Sequence, residues 1–142
     1  MGQFNHALSR IHLGRAHLTE DRTVILSAFE MYEFHSTQSG THIHPGQTLD
    51  LDYSLLKAFT LRETRLQAGL AGYAAWQTTA KTGPQVTPAQ ESQRYRVNAI
   101  GGALNFVLPT RKVTLSLKYF SEFSNEWTYQ GYSVQISAGV GF

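Results

Sequence analysis

The stretch that most limits what this chain can become is its last, Tyr132 to Phe142. Tyr132, Val134, Ile136, Ala138, Val140 and Phe142 fall at alternate positions, and Ser133, Gln135, Ser137, Gly139 and Gly141 fill the gaps between them. A strand turns successive side chains to opposite faces, so one face is apolar from end to end and the other is small and polar. A soluble sandwich hides such a face against a second sheet. A transmembrane barrel turns it to lipid, with strands of about 9–11 residues and aromatic rings at both interfaces. Ending a strand on a bare phenylalanine favours the second arrangement, because termini in water are ordinarily solvated and frayed.

The same period of two recurs upstream. Thr23–His35 places Val24, Leu26, Ala28, Tyr32 and Phe34 on one face, interrupted by Glu30. Thr48–Phe59 separates Leu49, Leu51, Tyr53 and Leu55 from Asp50, Asp52 and Ser54. Leu66–Thr78 places Leu66, Ala68, Leu70, Gly72, Ala74 and Trp76 opposite Gln67, Ala71, Tyr73 and Gln77. Arg94–Leu108 starts with Tyr95, Val97 and Ala99 outward and Arg94, Arg96 and Asn98 inward. Its apolar phase then moves to Leu104 and Phe106, which predicts a bulge at Gly101-Gly102. Val113–Phe123 sends Val113, Leu115, Leu117, Tyr119 and Phe123 out and Thr114, Ser116, Lys118 and Glu122 in. Phe4–His17 is a weak strand that also tolerates a helical reading, and Leu18–Arg22 reads as a tight turn.

The connections alternate in length. Ser36–Gln47 and Thr79–Gln93 are long polar loops, whereas Thr60–Arg65 and Pro109–Lys112 are short, and Asn125–Gln130 is moderate. Antiparallel neighbours joined this way have a tight end and a loop end, as in outer-membrane barrels with periplasmic turns and extracellular loops. Phe59, Phe106 and Phe142 then gather at the tight end. Tyr32, Phe34, Trp76, Tyr95, Phe123 and Tyr132 gather at the other, as two interfacial belts.

Composition narrows the function. Charged residues make up 15% and aromatics 12%, a balance that favours β structure. A net charge of +2, spread along the chain, offers no basic stripe for nucleic acid. There is no cysteine, which excludes thiol catalysis, disulfides and thiolate metal centres. His42 and His44, with His35 nearby, lack a nameable third ligand and are expected to be solvated loop residues, so no metal or other cofactor is expected. Ser54, His44 and Asp52 have no nucleophile-elbow context, and phosphate-binding glycine loops are absent, so the chain is not expected to be an enzyme. Met1 to Gly14 lacks the apolar centre of a secretory signal, so an outer-membrane chain of this sequence is expected to be a fragment or to carry a misassigned start.

The expected fold is all-β: an antiparallel up-and-down meander of six or seven strands over residues 1–142, with residues 1–22 the weakest part. Because six or seven strands are fewer than the smallest usual barrel, the sheet is expected to be the C-terminal part of a larger transmembrane β-barrel. Asp50, Asp52, Arg94, Arg96, Lys118 and Glu122 are the expected lumen-facing polar residues. Tyr32, Trp76, Tyr95, Tyr132 and Phe142 are the expected membrane-interface aromatics. The expected partners are outer-membrane lipid and, through the C-terminal strand, the barrel-assembly machinery.

Several segments occur in a recognisable order: Ile25-Leu-Ser-Ala-Phe29, His44-Pro-Gly-Gln-Thr-Leu-Asp-Leu-Asp52, Leu66-Gln-Ala-Gly-Leu-Ala-Gly-Tyr73, Trp76-Gln-Thr78, Arg94 to Gly101, Leu115-Ser-Leu-Lys-Tyr119, Glu122-Phe123 and Asn125. Over about Thr23 to Phe142 the chain resembles the MetA-pathway phenol-degradation or SphA-type outer-membrane family. The resemblance implies an outer-membrane channel or transporter for small hydrophobic or aromatic compounds, and it transfers no ligand-binding residue. Two departures stand out: the first strands and signal of a full-length member have no counterpart, and Glu30 falls on the apolar face. Two other readings stand beside it: a structural or adhesin-like small barrel with a filled lumen, and a soluble β-sandwich or lipocalin-like binder.

Overall fold

Alternation this regular commits the backbone to extended pairing, and the chain folds as a single sheet. The computed structural model describes residues 8–20 and 23–141. Its strands are β1 (Leu8–Leu18), β2 (Val24–His35), β3 (Thr48–Leu61), β4 (Thr64–Gln77), β5 (Arg96–Leu108), β6 (Val113–Glu122) and β7 (Tyr132–Val140). Each pairs antiparallel with its sequence neighbour, in the order β1 to β7. The meander is therefore as expected, and the weak first strand is a strand. Phe4, Arg22 and Phe142, which figured in the expectations above, lie outside the described residues.

Directly opposed residues in an antiparallel pair share a face, so the register assigns every strand residue to one side. One row runs Leu26, Leu55, Leu70, Gly102, Tyr119, Val134, and the next but one towards the tight turns runs Phe59, Leu66, Phe106, Leu115, Ala138. This is the apolar face, and among the described residues no second layer covers it. Leu115 is 45% exposed and Ile136 80%. The other face carries Ser27, Ser54, Ala71, Gly101, Phe120 and Ser133 in one row, and Phe29, Asp52, Tyr73, Ala99 and Glu122 in the next. There Leu56, Ala71, Ala99, Ala103 and Phe120 are buried against one another. A protein folded for water places its large apolar side chains the other way round.

Turn chemistry sets the two ends apart. Arg62 and Lys112 adopt left-handed backbone in the β3–β4 and β5–β6 turns, the second closing a single 3-10 turn at Pro109–Arg111. At the opposite end the long β2–β3 and β4–β5 connections lie side by side, joined by backbone hydrogen bonds between His44 and Thr82 and from Thr78 to Gln47. A short helix, α1 (Pro88–Ser92), interrupts the second of these. It was expected to be loop throughout. Its start is written as Thr87-Pro-Ala-Gln90, a capping box in which the Thr87 and Gln90 side chains each bond the other's backbone amide.

β5 differs from expectation. Its pairing with β4 is unbroken from Arg65–Val107 to Trp76–Arg96, so no bulge interrupts the glycine pair. Val97 and Ala99 face inward with Asn105, while Arg96, Asn98 and Ile100 share the apolar face with Leu104 and Phe106. The reason lies in the inward row, where Ala99, Ala103 and Gly101 are small because neighbouring side chains close over them. A Cβ on Gly101 would collide with the Tyr119 carbonyl, so glycine serves close strand approach here, not a phase change.

Among the described residues β1 and β7 are each hydrogen-bonded on one side only and form the two borders of the sheet. With every neighbour antiparallel, these two borders run in the same direction.

Candidate functional site

The inner face is the surface on which polar chemistry collects. Near the tight turns it carries a short relay: Ser116 donates to Asn105 at 2.6 Å, and Asn105 donates to Gln67 at 3.1 Å. Two inward rows higher the hydroxyls of Ser27 and Ser54 meet at 3.1 Å. These groups satisfy each other across strands, as polar side chains away from bulk water must.

At mid-height the floor sinks. Between Gln67 and Tyr73 the inward positions of β4 hold only Gly69 and Ala71, beside Ala103 and Gly101 of β5. A hollow of about 350 Å³ opens here over Ala71 and Gly72, edged by Phe29, Asp52 and Tyr73 on one side and Lys118, Phe120 and Gln135 on the other. The Tyr73 and Phe120 rings pack edge to face at 5.1 Å between centroids. Asp52 and Lys118 both line this hollow, and neither has a hydrogen bond or ion pair to another described residue.

Above the hollow, Glu122 is fully engaged. Tyr73 donates its hydroxyl hydrogen to Oε1 at 2.8 Å, while the Asn125 side chain and the Gly131 amide donate to Oε2 at 3.0 and 3.1 Å. Glu122 does face inward, but its oxygens hold the β6–β7 loop in place. Asp50 also faces inward, between Met31 and Ala75. Arg94 precedes β5 and donates to the Thr78 carbonyl at 3.1 Å. Arg96 is not on the inner face. The register pairs it with Trp76 on the apolar side, at the loop end, where it meets Glu126 at 3.5 Å. The inward phase expected from Arg94 and Arg96 fails because β5 keeps one phase throughout.

The aromatics divide likewise. Tyr32 and Trp76 stand on the apolar face at the loop end, joined by Leu49 in one row. Tyr32 stacks edge to face on Phe34 at 4.8 Å, and its hydroxyl meets that of Thr78 at 2.8 Å. Tyr132 is on the same face opposite Ser121. Tyr95 is not. It lies against Thr48, Asp50 and Glu33 at the inner mouth, where burial first, and then the nearby carboxylates, hold its hydroxyl above the usual tyrosine range. Its placement follows from Gln77, whose amide bonds the Tyr95 carbonyl and continues the β4 ladder beyond the end of β5.

Besides Arg96, Glu30 and Lys57 place charge on the apolar face. Glu30 opposes Leu51 in the row that also contains Asn98, near the loop end. Lys57, which the alternation of β3 did not single out, extends over the Phe59 ring at 5.8 Å. Running its stem along apolar surface towards the tight-turn margin is how a lysine on such a face keeps its charge near water. The histidines serve the loop. His35 bonds the Gly46 carbonyl through Nδ1 at 2.8 Å, and the Gly46 amide donates to His44 Nδ1 at 3.1 Å. Among the described residues no group of three ligating side chains comes together.

The apolar band has a measurable height. From Leu49 to Phe59 the outward face of β3 spans ten residue steps, about 33 Å along a strand. At the usual barrel tilt of about 40° this projects to about 25 Å, the height of an outer-membrane apolar band. No helix among the described residues is long and apolar enough to cross a membrane, which leaves crossing by strands untouched.

No curated protein and no solved structure shows a match to the chain. The model of the family described as "Putative MetA-pathway of phenol degradation" matches residues 15–138, which takes in β2 to β6 whole, the inner hollow and nearly all of β7. The chain belongs to that family.

Proposed function

We propose that the chain forms part of the wall of a larger outer-membrane β-barrel that lets small hydrophobic or aromatic compounds pass. The observation that carries this reading is the inversion of the sheet. Its uncovered face is apolar over the height of a bilayer core, while its polar residues gather on the face with the hollow. Lipid is the solvent that suits the first face, and an aqueous lumen suits the second. The family supports a place beside phenol breakdown, where such compounds must first enter the cell. The chain's role is passage and not catalysis.

The barrel that contains this chain, purified from membranes and reconstituted in planar lipid bilayers, should give stepwise ionic conductance, and membrane fractionation should find the chain with the outer membrane. Recovery in the soluble fraction, together with a silent bilayer, would overturn the proposal. A specific observation favours a second reading, in which the lumen is filled: the cluster of Leu56, Ala71, Ala99, Ala103 and Phe120 on the inner face. That reading expects insertion into lipid without conductance.

A further inference from the structure

We infer that the tight-turn margin of the apolar face is a docking surface for phospholipids with anionic headgroups, and that Lys57, Arg62, Arg111 and Lys112 hold those headgroups. The inference rests on the barrel reading for its setting, since the apolar face must meet lipid before a headgroup can reach its margin.

The two ends of the apolar band are charged differently. Arg62 follows Leu61 of the outward pair Leu61–Thr64, which closes the β3–β4 ladder. Arg111 and Lys112 lie in the turn beyond the outward pair Leu108–Val113. Lys57 stands one outward row inside Phe59, about 5 Å from the edge of the band. Its ammonium lies over the Phe59 ring, so the side chain runs towards that edge. All four residues are exposed. None of their cationic groups has a carboxylate or hydrogen-bond partner. Among the described residues the carboxylates by these turns are Glu20 and Glu63, so cation is in surplus at this margin. At the loop margin the charges described on the apolar face are Glu30 and the Arg96–Glu126 pair, which leaves no cation over there.

The turn backbone adds an independent sign. Arg62 and Lys112 hold φ of 55° and 49°, left-handed conformations that glycine or asparagine fill with less strain. Closing the turns therefore does not require a long cation at either place. A lipid phosphate gives those cations a partner, with charge-assisted bonds that arginine can make in pairs. A headgroup of net negative charge keeps the full attraction, whereas the ammonium of a zwitterionic headgroup offsets it. Phe59, Leu61 and Leu115, exposed on the same face beside these turns, supply apolar surface for the acyl chains, which a free phosphate lacks.

The test titrates the barrel that contains this chain, purified from membranes in detergent, with phosphatidylglycerol or with phosphatidylcholine of the same acyl chains. Native mass spectrometry counts the bound lipid. Phosphatidylglycerol should bind more tightly. Arg62→Asn and Lys112→Asn suit the left-handed backbone, so the urea midpoint of each in phosphatidylcholine vesicles should equal or exceed that of the wild type. Each should nevertheless weaken phosphatidylglycerol about fivefold, the attraction of one cation near an anionic surface, and leave phosphatidylcholine unchanged. Arg96→Gln removes a cation that Glu126 already neutralises at the loop margin, and should change neither lipid. Equal affinity for the two lipids overturns the inference. So do asparagine variants that bind phosphatidylglycerol as the wild type does, or a loss in Arg96→Gln as large as theirs. The two claims fail differently. A barrel that takes up both lipids alike loses the anionic margin and remains a membrane barrel. Recovery in the soluble fraction, with neither lipid bound, removes the barrel reading and the docking surface with it.

Discussion

Leu70→Arg asks whether the apolar face meets hydrocarbon or water. Leu70 is in the middle of β4, flanked in its row by Leu55 and Gly102, and it is 56% exposed. Its row, level with Leu55, lies about 10 Å from the tight-turn edge and about 15 Å from the loop edge of a band about 25 Å high. An arginine there cannot bring its guanidinium to either interface as Lys57 does. In a bilayer the change should destabilise the folded chain by about 2–4 kcal/mol, against about 0–1 kcal/mol for the same change near an interface. Leu61→Arg supplies that second case, since Leu61 is 70% exposed at the tight-turn end. In water the two substitutions should be alike, because exposed surface changes ordinarily stay within about 0.5 kcal/mol. Urea titration of the vesicle-embedded chain, followed by tryptophan fluorescence, reads the difference. A gap of about 2 kcal/mol corresponds to roughly a thirtyfold change in the folding equilibrium. Equal midpoints for the two variants would show that the face does not lie in lipid.

Other consequences follow from particular contacts. Gly72 lies beneath the Tyr53 ring, whose hydroxyl donates to the Ala99 carbonyl at 3.2 Å. Gly72→Val should displace that ring and cost about 1–3 kcal/mol of overpacking, a loss that a urea midpoint unchanged from wild type would contradict. Tyr73→Phe removes one of three donors to Glu122. It should cost about 1.5 kcal/mol and speed amide exchange at Gly131, whereas exchange at the wild-type rate would show that the loop is held by other contacts. Tyr95 keeps its proton more tightly in the folded chain, since its pKa is raised above 10.0. Its contribution to stability is therefore whole below pH 10.0 and is lost as the pH climbs through the folded value. The absorbance titration of wild type minus Tyr95→Phe should have its midpoint above 10.0, and a midpoint at or below that value would contradict the burial of the hydroxyl.

Much of the architecture was legible because the strands write two different solvents on two faces. β7 alternates strictly, and β3 and β6 do so over most of their length, so Leu55, Leu115 and Ile136 fall on the uncovered side as their spacing requires. The alternation of short turns and long loops located both ends of the sheet. β5 was harder for a physical reason. Its inward residues are small and apolar, because Tyr73 and Phe120 close over them, so Val97 and Ala99 looked lipid-facing and drew Tyr95 and Arg96 into the wrong phase. Lys57 was passed over because a snorkelling lysine on an apolar face breaks the pattern without breaking the fold. The hollow could not be read from one strand at a time. It exists only where Ala71 and Gly72 of β4 come level with larger residues on β2, β3, β6 and β7, and register across the sheet decides that. The engagement of Glu122 likewise depends on a loop fold that spacing does not encode, although the cap at Thr87 was written locally and could have been found.

That the described strands are odd in number bears on what could complete a cylinder. β1 and β7 point the same way, so joining them directly would create a parallel seam, and two copies set in a ring would contain two such seams. Parallel pairing is slightly weaker per residue than antiparallel, and bacterial single-chain barrels have even strand totals. An uninterrupted antiparallel circuit therefore needs an odd complement between the two borders, whether one strand or several. Inside a bilayer, where bare amides and carbonyls are heavily penalised, this parity rule constrains anything that mates with β1 and β7 at once.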